Sequence, residues 1–163
     1  MGYTHYYKKP GGYILNAATF SNFVELAHKI ISACEKDSPI GGVYYDGKVV
    51  EIAGPNGDKS PIADGDMLQF NGKGDNAHEA LIISNKKEDL ELGSFNFCKT
   101  ARKPYDIVVT AVLIAFKAYF LASVTINSDG YIEDWEPGLE LYNICAPENK
   151  KISIDILKKW ISE

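Results

Sequence analysis

Lys99, Arg102 and Lys103 stand together in the segment Phe97-Cys98-Lys99-Thr100-Ala101-Arg102-Lys103-Pro104-Tyr105-Asp106, directly ahead of a strongly apolar run from Tyr105 to Leu121. Proline is accommodated in the first turn of a helix and Asp106 favours the positive end of its dipole, so the run is predicted to be a helix starting near Pro104. A helix amino end carries unsatisfied amide donors and about half a positive charge, and it attracts anions. Basic side chains there oppose the dipole by about 0.3–1 kcal/mol each when exposed. Such a cluster needs compensation, either from a phosphate-bearing ligand or from carboxylates elsewhere in the chain. On the first reading Arg102 grips the anion bidentately, Lys99 and Lys103 neutralise it, Thr100 donates a hydroxyl, and Tyr105 stacks on a base or hydrogen-bonds. On the second the segment is a solvated basic turn.

Two further segments carry polar chemistry. The loop from Asn71 to Glu79 holds glycines with Asn71, Lys73, Asn76 and His78, a composition that can present donors to a ligand at close range. It matches neither the dinucleotide nor the nucleotide triphosphatase glycine pattern, and hairpin turn chemistry is the competing reading. His78 and Glu79 are neighbours and would point to opposite faces of a strand, which weakens them as a base and its orienting acid. In the opening Gly2-Tyr3-Thr4-His5-Tyr6-Tyr7, strand alternation puts Tyr3, His5 and Tyr7 on one face, to stack on a purine or to cover the core. His5 and His78 are too few for a metal site, so no metal and no cofactor is expected unless Asp75, Glu79 or Asp129 converges with them. Without a Gly-x-Ser-x-Gly elbow, and with no histidine assigned to Cys98, no catalytic residue is expected.

The elements that must position these residues follow from periodicity. The segment from Gly2 to Lys8 reads as a strand ending before a turn at Pro10-Gly11-Gly12. Phe20 to Cys34 shows one apolar face at helical spacing, with Thr19 or Ser21 as its cap. Val43 to Ile52 reads as a hairpin about Asp46-Gly47. Met67–Phe70, Ala80–Ser84, Phe95–Cys98 and Ser123–Asn127 are further strand candidates, and Pro137–Cys145 and Ile152–Ile161 are short helices. The run after Pro104 is apolar on all sides and should be a buried central helix; its internal Lys117 makes it a poor membrane span. The expected fold is a single α+β domain over residues 1–163, with one antiparallel sheet packed against two main helices and short C-terminal helices.

Composition agrees with one domain: 163 residues, 45% hydrophobic and 24% charged, enough chain to bury a core without disulfides or metal. Lys and Arg number 17 against 22 Asp and Glu, a net charge of −5 that argues against general nucleic-acid binding or an anionic membrane surface. Cys34, Cys98 and Cys145 are odd in number and widely spaced, as for reduced, buried thiols. The amino end has no apolar signal core, and a cytoplasmic location is expected.

The opening Gly2–Tyr6, the segment Phe70–Glu79, the segment Phe97–Asp106, and Ser128-Asp129-Gly130 with Trp135 together resemble a family of small bacteriophage and prophage proteins. Tyr7 stands where such an opening would carry tryptophan or phenylalanine. The resemblance implies a phage protein in the cytoplasm of a bacterial host, compatible with a non-catalytic anti-defence sponge that sequesters a nucleotide immune signal such as a cyclic nucleotide. The expected ligand contacts are Lys99, Thr100, Arg102, Lys103, Tyr105, Asn71, Lys73, Asn76, His78, Tyr3, His5 and Tyr7. A ligand held between protomers of a homo-oligomer is one arrangement of this kind. The alternatives are a nucleotide hydrolase or nuclease using His5 or His78 as base with Glu79 or Asp129, and an inhibitor that binds a host defence protein.

Overall fold

The computed structural model describes residues 3–9, 13–92 and 95–163; the turn expected at Pro10-Gly11-Gly12 lies outside them. In chain order the elements are β1 (Thr4–Lys8), α1 (Ala17–Ala33), β2 (Tyr44–Tyr45), β3 (Lys48–Val49), β4 (Ile52–Ala53), β5 (Ile62–Asp64), β6 (Met67–Gly72), β7 (Leu81–Ser84), β8 (Phe95–Lys99), α2 (Asp106–Phe120), β9 (Thr125–Ser128), α3 (Glu136–Cys145) and α4 (Ile154–Ile161). The fold is α+β, and every strand pair among the described residues is antiparallel.

Helix α1 begins a turn earlier than its apolar face suggests. Asn16, rather than Thr19 or Ser21, caps it, the side-chain oxygen accepting from Thr19 N at 2.9 Å. Its buried stripe of Phe20, Phe23, Val24, Ala27 and Ile30 faces α2. Helix α2 starts at Asp106 and is buried on all sides from Val108 to Ala118, as its pattern predicts. By length and composition the stretch Asp106–Ser123, of mean hydropathy 1.8, is long and apolar enough to cross a membrane, yet 67% of it is buried inside this domain. It is the core helix. Phe116 and Phe120 pack against Phe20 and Phe23 from α1. Helix α3 approaches α2 closely at Gly138, where a Cβ would fall on Thr110.

The strands divide among three sets rather than forming one continuous sheet. Strand β1 lies between β8 and β9; β6 pairs with β4 and β5 on one side and with β7 on the other. Strands β2 and β3 form the expected hairpin, with Asp46 and Gly47 at φ values of 50° and 75°. The two larger sets meet where Glu79 N donates to Lys99 O at 3.2 Å, so the glycine-containing loop ahead of β7 is carried to the end of β8. That junction builds the candidate site.

Candidate functional site

Alternation along β1 turns Tyr3, His5 and Tyr7 inward, as expected. His5 is wholly buried, opposite Cys98 on β8 and Ser128 on β9. Asp106, the first residue of α2, receives His5 Nε2 at 2.6 Å and the Thr100 hydroxyl at 2.5 Å, both on Oδ1. A carboxylate oxygen is an acceptor, so Nε2 is the donor, and among the described residues Nδ1 has no partner. Tyr3 and Trp135 meet the imidazole edge-on, with ring centroids 4.9 and 5.3 Å away, and Trp135 Nε1 donates to Ser128 Oγ at 3.0 Å. The buried Tyr3 hydroxyl makes no hydrogen bond of good geometry among the described residues. Burial pushes its phenol up to about 12, the nearby Ser128 hydroxyl acting in the opposite direction.

Between β8 and α2 the chain makes a strained turn: Ala101 and Arg102 adopt left-handed φ values of 52° and 57°. Such a conformation costs a residue with a side chain about 1–2 kcal/mol. Tyr3 O holds it by accepting from Thr100 N and Ala101 N at 3.1 and 3.2 Å. The turn lays the Arg102 guanidinium over the Tyr3 ring, 4.1 Å from its centroid, and places Nη1 2.8 Å from Asp134 Oδ1. The other carboxylate oxygen of Asp134 accepts from Tyr131 N at 2.8 Å. Arg102, aided by Tyr131 N, holds the Asp134 carboxyl below its usual range. Asp106 and Asp134 therefore supply negative charge at the amino end of α2 from within the chain, the carboxylate form of the compensation that the cations require.

The loop is stapled by Asn71. Its side-chain nitrogen donates to Pro55 O and His78 O, both at 3.0 Å, and its oxygen accepts from Gly72 N and His78 N at 2.8 and 3.0 Å. Asn71 is thus buried and occupied, not a ligand donor. Beyond Gly72, a single turn over Gly74–Asn76 brings the loop against the cationic junction. Lys103 Nζ donates to Asp75 O at 3.1 Å, His78 Nδ1 to Lys99 O at 2.8 Å, and Lys99 N to Glu79 Oε2 at 2.7 Å.

Of the expected contacts, Lys99, Arg102, Lys103, Asn76 and His78 share this surface region, with Asn76, His78 and Arg102 exposed. His5 and Thr100 lie buried beneath it on Asp106, and Tyr3 lies under Arg102. Lys73 is exposed but turns to Glu51 at 3.8 Å, on the rim of a separate cleft of about 420 Å3 that Val50, Ile52 and Pro61 also line. Tyr7 and Tyr105 are corrected: both rings are core, their hydroxyls donating to Ile82 O at 2.6 Å and to Glu79 O at 2.7 Å, so neither offers a face to a base. The strand pattern that gave Tyr7 an inward face also committed it to the core.

The register places Cys98 beside His5, a pairing the linear sequence does not announce. No nucleophile results, because the Cys98 thiol donates to Glu79 O at 3.4 Å and burial pushes its pKa far up. Among the described residues no group of three His, Cys, Asp or Glu side chains is placed to hold a metal ion.

Sequence reasoning passed over Asp134, Tyr131 and Gly130 as site residues. Tyr131 is 79% exposed beside the Arg102–Asp134 pair, and a Cβ on Gly130 would collide with Asp134 Oδ2 and with Tyr3 Oη. An exposed aromatic next to an Asp-Gly turn was the available signal. Comparison of the chain with protein-family models, with curated proteins and with solved structures finds no match to any of them.

Proposed function

We propose that the chain is a binding protein that holds a small phosphate-bearing ligand of the nucleotide class on the surface where Arg102, Lys99 and Lys103 meet the loop from Gly74 to His78. One observation carries this reading: segments distant in sequence, Tyr3–His5, Asn76–Glu79, Lys99–Asp106 and Ser128–Trp135, meet around the amino end of α2. Arginine's planar fork suits a phosphate oxygen pair, and lysine ammonium groups add charge without geometric demand. Tyr131 takes the stacking role that Tyr7 and Tyr105 cannot fill. In the phage setting that the resemblance implies, the ligand is a nucleotide second messenger and its capture an anti-defence act. Titration with mononucleotides, dinucleotides and cyclic nucleotides tests the reading. At least one binds, and Arg102→Ala weakens it by about 1.5–3 kcal/mol, the scale of a hydrogen bond to a charged group. An unchanged affinity in Arg102→Ala contradicts the assignment.

A second reading, a nucleotide hydrolase, draws on the His5–Asp106 pair, in which a carboxylate orients an imidazole whose other nitrogen has no partner among the described residues. The two separate when the bound nucleotide is released by denaturation. A binder returns it intact, whereas a hydrolase returns product.

A further inference from the structure

Asp134 satisfies two donors with its two oxygens: Arg102 Nη1 on Oδ1 and Tyr131 N on Oδ2, each at 2.8 Å. A third donor borders the same place. The place a Cβ on Gly130 would occupy borders both Asp134 Oδ2 and Tyr3 Oη, and that hydroxyl is buried and makes no hydrogen bond of good geometry among the described residues, while the Tyr3 ring supports the guanidinium from below. The carboxylate as placed serves Arg102 and Tyr131 N and leaves Tyr3 Oη aside, whereas a tetrahedral phosphoryl group can turn one oxygen to each of the three donors. We propose that Asp134 is an internal stand-in for the ligand's phosphate. A phosphate ester displaces the carboxylate from Arg102 and Tyr131 N–H and also accepts a hydrogen bond from Tyr3 Oη, which keeps its proton. Gly130 is required at its position because a side chain there would fill the space that the displaced oxygen and the hydroxyl share. Asp134 thereby keeps the site closed and charge-balanced when no ligand is bound.

This inference rests on the phosphate-binding reading, and its test separates the two. Inorganic phosphate and adenosine monophosphate are titrated into the wild type, Asp134→Asn, Glu133→Gln, Tyr3→Phe and Arg102→Ala, each checked for cooperative thermal unfolding. Asp134→Asn removes the competing charge and is expected to tighten binding about tenfold, while Glu133→Gln, which removes the same charge from an exposed neighbour, changes it less than threefold. Tyr3→Phe weakens binding several-fold and Arg102→Ala abolishes it. Loss of binding in Arg102→Ala without a gain in Asp134→Asn, or an equal gain in Glu133→Gln, overturns the stand-in and leaves the phosphate reading in place. No binding by the wild type or Asp134→Asn, or full binding by Arg102→Ala, overturns both. A measurement on the wild type alone guards against a variant that misfolds: the Tyr131 backbone amide resonance shifts saturably with phosphate. A Tyr131 amide that stays still while Lys99 and Lys103 respond refutes the exchange.

Discussion

His5 Nε2 and Asp106 Oδ1, 2.6 Å apart, tie the central strand β1 to the first residue of the core helix α2. The imidazole is fully buried and the carboxylate partly so, 16% exposed, and Thr100 adds its hydroxyl to the same oxygen. A pair of this kind contributes little over a well-packed apolar substitute, but removing one partner strands the other.

Asp106→Ala is therefore expected to destabilise the domain by about 3 kcal/mol, the lower end of the range for breaking a buried pair. Urea unfolding followed by tryptophan fluorescence measures it, Trp135 lying beside His5. A loss under 1 kcal/mol would show that the pair is not a structural tie.

Much of the scaffold was legible in the sequence. The all-round apolar pattern after Pro104 marked α2 as central, and Asp46-Gly47 marked its hairpin, because both signals are local. The division of strands into separate sets, and their meeting where Glu79 joins Lys99, were not legible, since both depend on pairings between segments distant in sequence. The site was half legible. The positive cluster and the loop do meet, but the carboxylates opposing the cations sit on Asp106, at the junction itself, and on Asp134, far along the chain. Charge arithmetic detects an imbalance without locating its counterion.

The three thiols are buried, and burial pushes Cys34 up to about 12, with Cys98 and Cys145 also raised. In the native state at pH 8 none is expected to react rapidly with a thiol-specific chromogenic disulfide, and all should react in denaturant. Rapid native labelling would place at least one thiol at the surface.

Acidification gives a signed prediction. Asp134 beside Arg102 and Glu163 beside Lys117 have folded pKa values below their ordinary values of 3.8 and 4.5. A depressed carboxylate stabilises the fold fully above its ordinary pKa and loses that contribution as pH falls through its folded value. The melting temperature should fall as the pH drops below those values. Asp134→Asn and Glu163→Gln should each flatten the acid slope, and a slope unchanged in both would show the pairs to be inert.

Gly138 sets the α2–α3 spacing. An alanine there meets the Thr110 hydroxyl and Cβ, and overpacking of this type costs about 1–3 kcal/mol. Gly138→Ala should lower the melting temperature, and adding Thr110→Ala should restore part of it by removing the hydroxyl. No change in Gly138→Ala would mean that the helices separate freely.

The most direct test of the binding surface is a crystal structure of the protein grown with the nucleotide that titrates most tightly. Phosphate density within hydrogen-bonding distance of the Arg102 guanidinium is the expected result. A nucleotide bound only in the cleft between Lys73 and Val50, with Arg102 still held by Asp134, would contradict it.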